Sequence, residues 1–235
     1  MINRPKETKV VVLTGAGISA ESGLKTFRDS DGLWEGHDVY EVASPVGWQN
    51  NPKLVLDFYN ARRKQLKTVS PNAAHTALAE FEKEYNTLII TQNVDNLHER
   101  AGSKNIIHLH GELCKVRSTL DAQLVYEWYE DLNQGDNCAK GSQLRPHIVW
   151  FGESVPMIET AIREITDATH VIIIGTSMQV YPAAGLIQYV SSECAIYYVD
   201  PNPYKASLNH TTFISIEEKA TTGVEKALSM IRQSI

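Results

Sequence analysis

Residues 10–20 read VVVLTGAGISA. Val10, Val11, Val12 and Leu13 form a continuous apolar, β-branched run, the pattern of a strand buried on both faces of a parallel sheet. Gly15 and Gly17 follow at once, and a glycine-rich turn lets backbone amides approach a phosphate because no Cβ intervenes. The pattern G-x-G-x-x-A fits Gly15, Gly17 and Ala20; alone it suits a dinucleotide turn and a plain tight turn about equally. The same kind of run recurs at residues 86–91, 105–110, 170–177, 195–202 and 212–216. Helical segments are expected between several of them, at 70–85, at about 155–167 and after Pro182, with a last helix from Thr221. Repeated βα units predict an α/β fold: a Rossmann-like, doubly wound parallel sheet with helices on both faces.

A dehydrogenase would run from the glycine turn through a helix to a second strand within about thirty residues. Here residues 21–34 carry no strand pattern. They read as a long ligand-covering loop in which Phe27 shields a reactive centre and Arg28 meets a phosphate or carboxylate, or in which both simply anchor the loop. Residues 44–69 read as helical, with Asn51 as N-cap and Pro52 in the first turn. Val55, Tyr59, Arg62 and Leu66 share one face of it. Arg62 either snorkels to solvent or forms with Tyr59 a pair poised over an acidic ligand group.

Gln92, Asn93, Val94 and Asp95 stand at the carboxyl end of the 86–91 strand, where open α/β sheets hold their ligands. Capping of the next helix accounts for one of the three polar side chains more readily than for all. The 105–110 strand, with Ile107 and Leu109 inward, puts His108 and His110 on its other face and His110 at its carboxyl end. That makes His110 a candidate general base that needs no metal; a bond to a loop is the plainer alternative. Between Glu112 and Leu144 the sheet pattern breaks around Tyr126, Trp128 and Tyr129, which suggests a small inserted domain. The expected division is 1–35, 71–112 and 145–235 for the Rossmann-like part, with 36–70 and 113–144 for the small domain.

The chain has 235 residues, 43% hydrophobic and 21% charged, enough for one main domain with an appendage. A net charge of -6 speaks against nucleic acid as partner and suits a lysine-bearing protein substrate. No signal peptide or membrane span is read, so a cytoplasmic, monomeric protein is expected. Three cysteines without a CxxC pair suit free thiols in a reducing compartment.

Taken together, Gly15–Gly23 with Thr26, Phe27 and Arg28, then Gln92–Asp95, His108–Glu112, Phe151–Glu153 and Gly175–Ser177, resemble in this order the sirtuin family of NAD-dependent protein lysine deacylases. The likeness spans nearly the whole chain. Tyr59 with Arg62 is similar to the acyl-carboxylate reader of the class III branch, which removes succinyl and malonyl as well as acetyl groups. The resemblance implies that nicotinamide leaves the ribose as the acyl oxygen attacks. His110 then deprotonates a ribose hydroxyl, giving free lysine and O-acyl-ADP-ribose.

It also implies roles at the matching positions. Asp95 and Ile18 meet the carboxamide, with Val94 beside them; Gln92 and Asn93 hold the ribose and a water, Asn93 thereby joining His110 in catalysis. Gly15, Ala16, Gly17, Ala20, Thr26, Arg28, Trp34, Gly175, Thr176 and Ser177 face the rest of the cofactor, and Phe27 excludes water. Asp200, Asn202 and Ala220 lie at the adenosine end. Val149, Phe151, Gly152, Glu153 and Val180 resemble the edge that pairs with a substrate peptide.

Two departures stand out. The family usually carries four zinc cysteines in two CxxC pairs, yet Cys114 has Arg117 where its mate should be and Cys138 stands alone; zinc is not expected. Leu120, Leu124, Trp128, Tyr129 and Leu132 are expected to hold the small domain instead. Lys25 replaces a proline. The alternatives are a mono-ADP-ribosyltransferase using the same NAD pocket and a non-catalytic NAD or ADP-ribose sensor.

Overall fold

A computed structural model describes residues 8–25, 33–34, 36–203 and 211–235. In chain order the elements are β1 (Lys9–Thr14), α1 (Gly17–Ala20), β2 (Leu33–Trp34), β3 (His37–Asp38), α2 (Val39–Val42), α3 (Pro45–Asn50), α4 (Pro52–Thr68), α5 (Ala73–Glu82), β4 (Asn86–Thr91) and α6 (Leu97–Ala101). Then follow β5 (Ile106–His108), β6 (Gly111–Ser118), β7 (Val125–Glu127), β8 (Leu144–Ile148), α7 (Ile158–Thr166), β9 (His170–Ile174), a 3-10 segment (Ala183–Tyr189), β10 (Ala195–Val199), β11 (Thr212–Ile216) and α8 (Ala220–Ser234).

Six strands make one parallel sheet in the order β11-β10-β9-β1-β4-β5. The strand period of two splits β1 between two apolar layers. Val10 and Val12 join Ile172, Ile174 and Val199 beneath α5 and α8, where Leu78, Phe81, Val224 and Leu228 close the layer. Val11 and Leu13 join Ile90, Val171, Ile173 and Ile196 beneath α7 and the 3-10 segment, through Ala161, Ile165 and Leu186. Each fully buried aliphatic side chain here contributes about 1.5–3 kcal/mol.

Several boundaries differ from the sequence reading. The expected strand at 105–110 ends at His108. The residues after Pro182 form a 3-10 rather than an α-helix. The 44–69 segment is two helices meeting at Asn51, whose side chain accepts from the Leu54 amide at 3.0 Å, so Asn51 is the expected N-cap.

The largest correction falls between Glu112 and Leu144, where no strand was expected. An antiparallel sheet, β7-β6-β8, occupies this region. Its core is Leu56, Val116, Leu132, Cys138 and Leu144, with Leu124, Tyr126 and Trp128 partly buried against it. Leu124, Trp128 and Leu132 thus pack as expected, whereas Leu120 (72%) and Tyr129 (52%) are exposed.

Behind the sheet, His75 completes a capping box with Asn72 and is fully buried. Burial pushes its imidazole down from 6.5 to about 4. The unfolded chain therefore binds more protons over this interval, and stability is lost as pH falls below about 6.5 while nothing changes above it. Two and a half units correspond to about 3 kcal/mol. Urea unfolding at pH 7 and pH 4.5 is expected to give a larger loss for the wild type than for His75→Gln. Equal losses would refute the assignment.

Candidate active site

A cleft of about 830 Å³ opens at the carboxyl ends of β1, β4 and β9, between the sheet and the α4–β8 region. That is within the range of small-molecule and cofactor sites. Its floor is built by two loops that touch backbone to backbone. The Gly17 amide donates to the Gly175 carbonyl at 2.8 Å, and a Cβ on Gly17 would lie 2.5 Å from the Gly175 Cα. Gly15 is as tightly placed, so these glycines make a cradle any side chain would fill.

His110 stands just beyond β5, and the turn that exposes it depends on Gly111. That residue has a φ of +84°, and a Cβ there would strike the His147 carbonyl oxygen. The chain therefore leaves the parallel sheet for β6 immediately after His110. Its Nδ1 lies 3.1 Å from the Gln92 carbonyl, an acceptor only, so Nδ1 carries the proton and Nε2 keeps its lone pair. Burial lowers the pKa of His110, with the Gln92 bond opposing. The ring is then a neutral base at neutral pH.

The 92–95 turn is tied to the first loop. Asn93 is buried and its Nδ2 donates to the Gly15 carbonyl at 3.1 Å and to Ser19 Oγ at 3.3 Å. The Ser19 hydroxyl donates to Asp95 Oδ2 at 3.0 Å, while the Leu97 amide donates to Asp95 Oδ1 at 3.1 Å. Asp95 thus holds the first amide of α6 and ties that helix to the site network. Burial raises its pKa against these two bonds. Gln92 Nε2 donates to Thr176 Oγ1 at 3.0 Å, and the Tyr198 hydroxyl donates to the Thr176 carbonyl at 2.7 Å. Ser19 and Tyr198 were missed in the sequence. Ser19 lies inside the glycine turn and was legible only as part of it; nothing marks Tyr198 among strand residues.

On the opposite wall Tyr59 is fully buried and accepts from Trp150 Nε1 at 3.1 Å. Burial holds its phenol well above the ordinary range. The Arg62 guanidinium lies 4.5 Å from the centroid of the Trp34 ring, half-buried in the cleft wall rather than snorkelling outward. Its neighbour Arg63 is the structural arginine, donating to the Leu113 carbonyl at 3.0 Å.

Ala16, Ala20, Val94, Ser177, Asp200, Asn202 and Ala220 also line the cleft, as do Val149, Phe151, Gly152, Glu153 and Val180. Ile18 is buried beneath the floor and does not line it. Thr26, Phe27 and Arg28 lie outside the described residues. The Val149 and Phe151 amides already donate to the His110 and Ala43 carbonyls, both at 2.9 Å. Glu153 turns its carboxylate onto Arg145 at 2.7 Å and Arg117 at 3.1 Å.

A family model described as the Sir2 family matches residues 15–182. The chain belongs to the Sir2 family. The NAD-dependent protein deacylase of Helicobacter pylori is 63% identical over 199 residues, covering 85% of this chain and 87% of that protein. A solved Sir2 homologue mutant with ADP-ribose superposes with a TM-score of 0.86 at 39% identity, over 96% of this chain and 92% of that one. A Sir2 homologue–NAD complex gives 0.84 at 38% identity, over 96% and 90%. A Sir2 cleft at this place fits a dinucleotide: a side-chain-free floor, a neutral histidine and buried amide and carboxyl groups in one wall. Zinc bound by four thiolates does not fit, because the sequence holds three cysteines. Cys114 lies in β6, Cys138 in the core of the small sheet and Cys194 ahead of β10.

Proposed function

We propose that the chain is an NAD-consuming protein lysine deacylase that removes acetyl, succinyl and malonyl groups, with O-acyl-ADP-ribose and nicotinamide as products. One observation carries this reading: the neutral His110 and the Tyr59–Arg62 pair line the same cleft. His110 Nε2 takes the proton of a ribose hydroxyl, which then attacks the acyl carbon. Asn93 and Asp95 position the cofactor's ribose and carboxamide. The Arg62 fork and the Tyr59 phenol receive the carboxylate of an acidic acyl chain. Residues 36–70 and the β7-β6-β8 sheet form the smaller part, against which the acyl-lysine enters.

The test is mass spectrometry of acetyl-, succinyl- and malonyl-lysine peptides incubated with and without NAD. Loss of all three groups only with NAD, with equimolar O-acyl-ADP-ribose, is the expected result. Nicotinamide release without peptide would mark an ADP-ribosyltransferase instead, and no turnover would mark a sensor.

A further inference from the structure

His108, two residues before His110, is held between two groups that only accept hydrogen bonds. Its Nδ1 lies 3.2 Å from the Asn93 carbonyl oxygen and its Nε2 lies 2.6 Å from Glu99 Oε1. An imidazole donates from both nitrogens only as the imidazolium. We propose that His108 is a cationic clamp, a positioning residue that fixes the Gln92–Asn93 turn and so orients His110, and that turnover ends at high pH when this proton is lost.

The turn held by His108 is the one on which the site depends. The Gln92 carbonyl sets the His110 tautomer, and the Asn93 side chain reaches Gly15 and Ser19. Among the described residues, the titratable groups that act on His108 come from α6, β6 and the turn itself. Glu99 comes from α6. Glu112, on β6, approaches both and is itself paired with Lys115 at 2.9 Å. Lys115 is also shared with Glu127 at 3.7 Å, so the carboxylates here outnumber the lysine and the imidazolium balances part of the excess negative charge. Asp95 lies on the turn itself, and His98 on α6 is kept neutral, first by burial and then by the neighbouring His75 and His108.

Burial alone would lower the pKa of His108, but the Glu99 hydrogen bond and charge, with Glu112 and the Asn93 carbonyl, outweigh it and raise it. Among the described residues His110 has no carboxylate partner, and its pKa moves the other way. Two histidines on one short stretch thus frame an activity window: His110 must have lost its second proton and His108 must keep both.

This inference rests on the reading of His110 as the base, and the experiment separates the two. The pH profile of kcat/KM for an acetyl-lysine peptide is compared in the wild type, Glu99→Gln and Glu99→Asp, together with 15N NMR titration of the histidine rings. Glu99→Gln is expected to move the basic limb down by about one pH unit while the acid limb stays, and Glu99→Asp to restore it in part. The wild-type His108 ring should carry both protons at pH 7. A neutral His108 at pH 7, or a basic limb unchanged in Glu99→Gln, overturns the clamp. An acid limb that does not follow the His110 titration overturns the base assignment instead, leaving the NMR result to decide the clamp.

Discussion

His110→Ala is expected to lose deacylation of every acyl peptide by about two to four orders of magnitude, the usual contribution of a positioned proton acceptor. The imidazole Nε2 is the basic atom left free when Nδ1 donates to the Gln92 carbonyl, and alanine supplies nothing in its place. Because burial lowers its pKa, the acid-side fall of the wild-type rate should begin below the ordinary histidine range near 6.5. The variant's residual rate should be flat there. Peptide binding should survive, since the ring is half-buried and supports no core layer. Initial rates with acetyl and succinyl peptides, beside a binding isotherm for each, make the check; undiminished turnover would remove His110 from the chemistry.

Arg62→Met is expected to divide the activities. Two charge-assisted hydrogen bonds from one guanidinium contribute about 3–4 kcal/mol together, so desuccinylation should drop by roughly a hundred- to a thousandfold. Deacetylation should stay within about threefold, because methionine keeps an apolar stem against the Trp34 ring and an acetyl group offers no carboxylate. Tyr59 should remain a phenol, its ionisation suppressed by burial. Steady-state kcat/KM for paired peptides measures the split. Parallel losses would give Arg62 a structural role like that of Arg63.

What the sequence disclosed follows from what burial does to a strand. β1, β4, β9 and β10 lie between helical layers and read as apolar runs, so the parallel sheet was legible. β8 reads LRPHI and was not, although it is mostly buried. Arg145 is tolerated there because its guanidinium meets Glu153 and lies over the Trp150 ring, and such compensation has no signature in hydropathy. β6 has one half-solvated face, so lysine and arginine interrupt its pattern. His110 was found by its place at the carboxyl end of an expected strand, while the shortening of that strand came from Gly111, whose φ no periodicity reports.

At the meeting of Gly17 with Gly175 the wall of the cleft is bare peptide on both sides. Mutation has no lever there, since any substitution pries the loops apart before it can reshape what they hold. On the proposed reading, divergence in what such a protein accepts accumulates instead on the opposite wall, around Tyr59, Arg62 and Trp34, where side chains line the cleft.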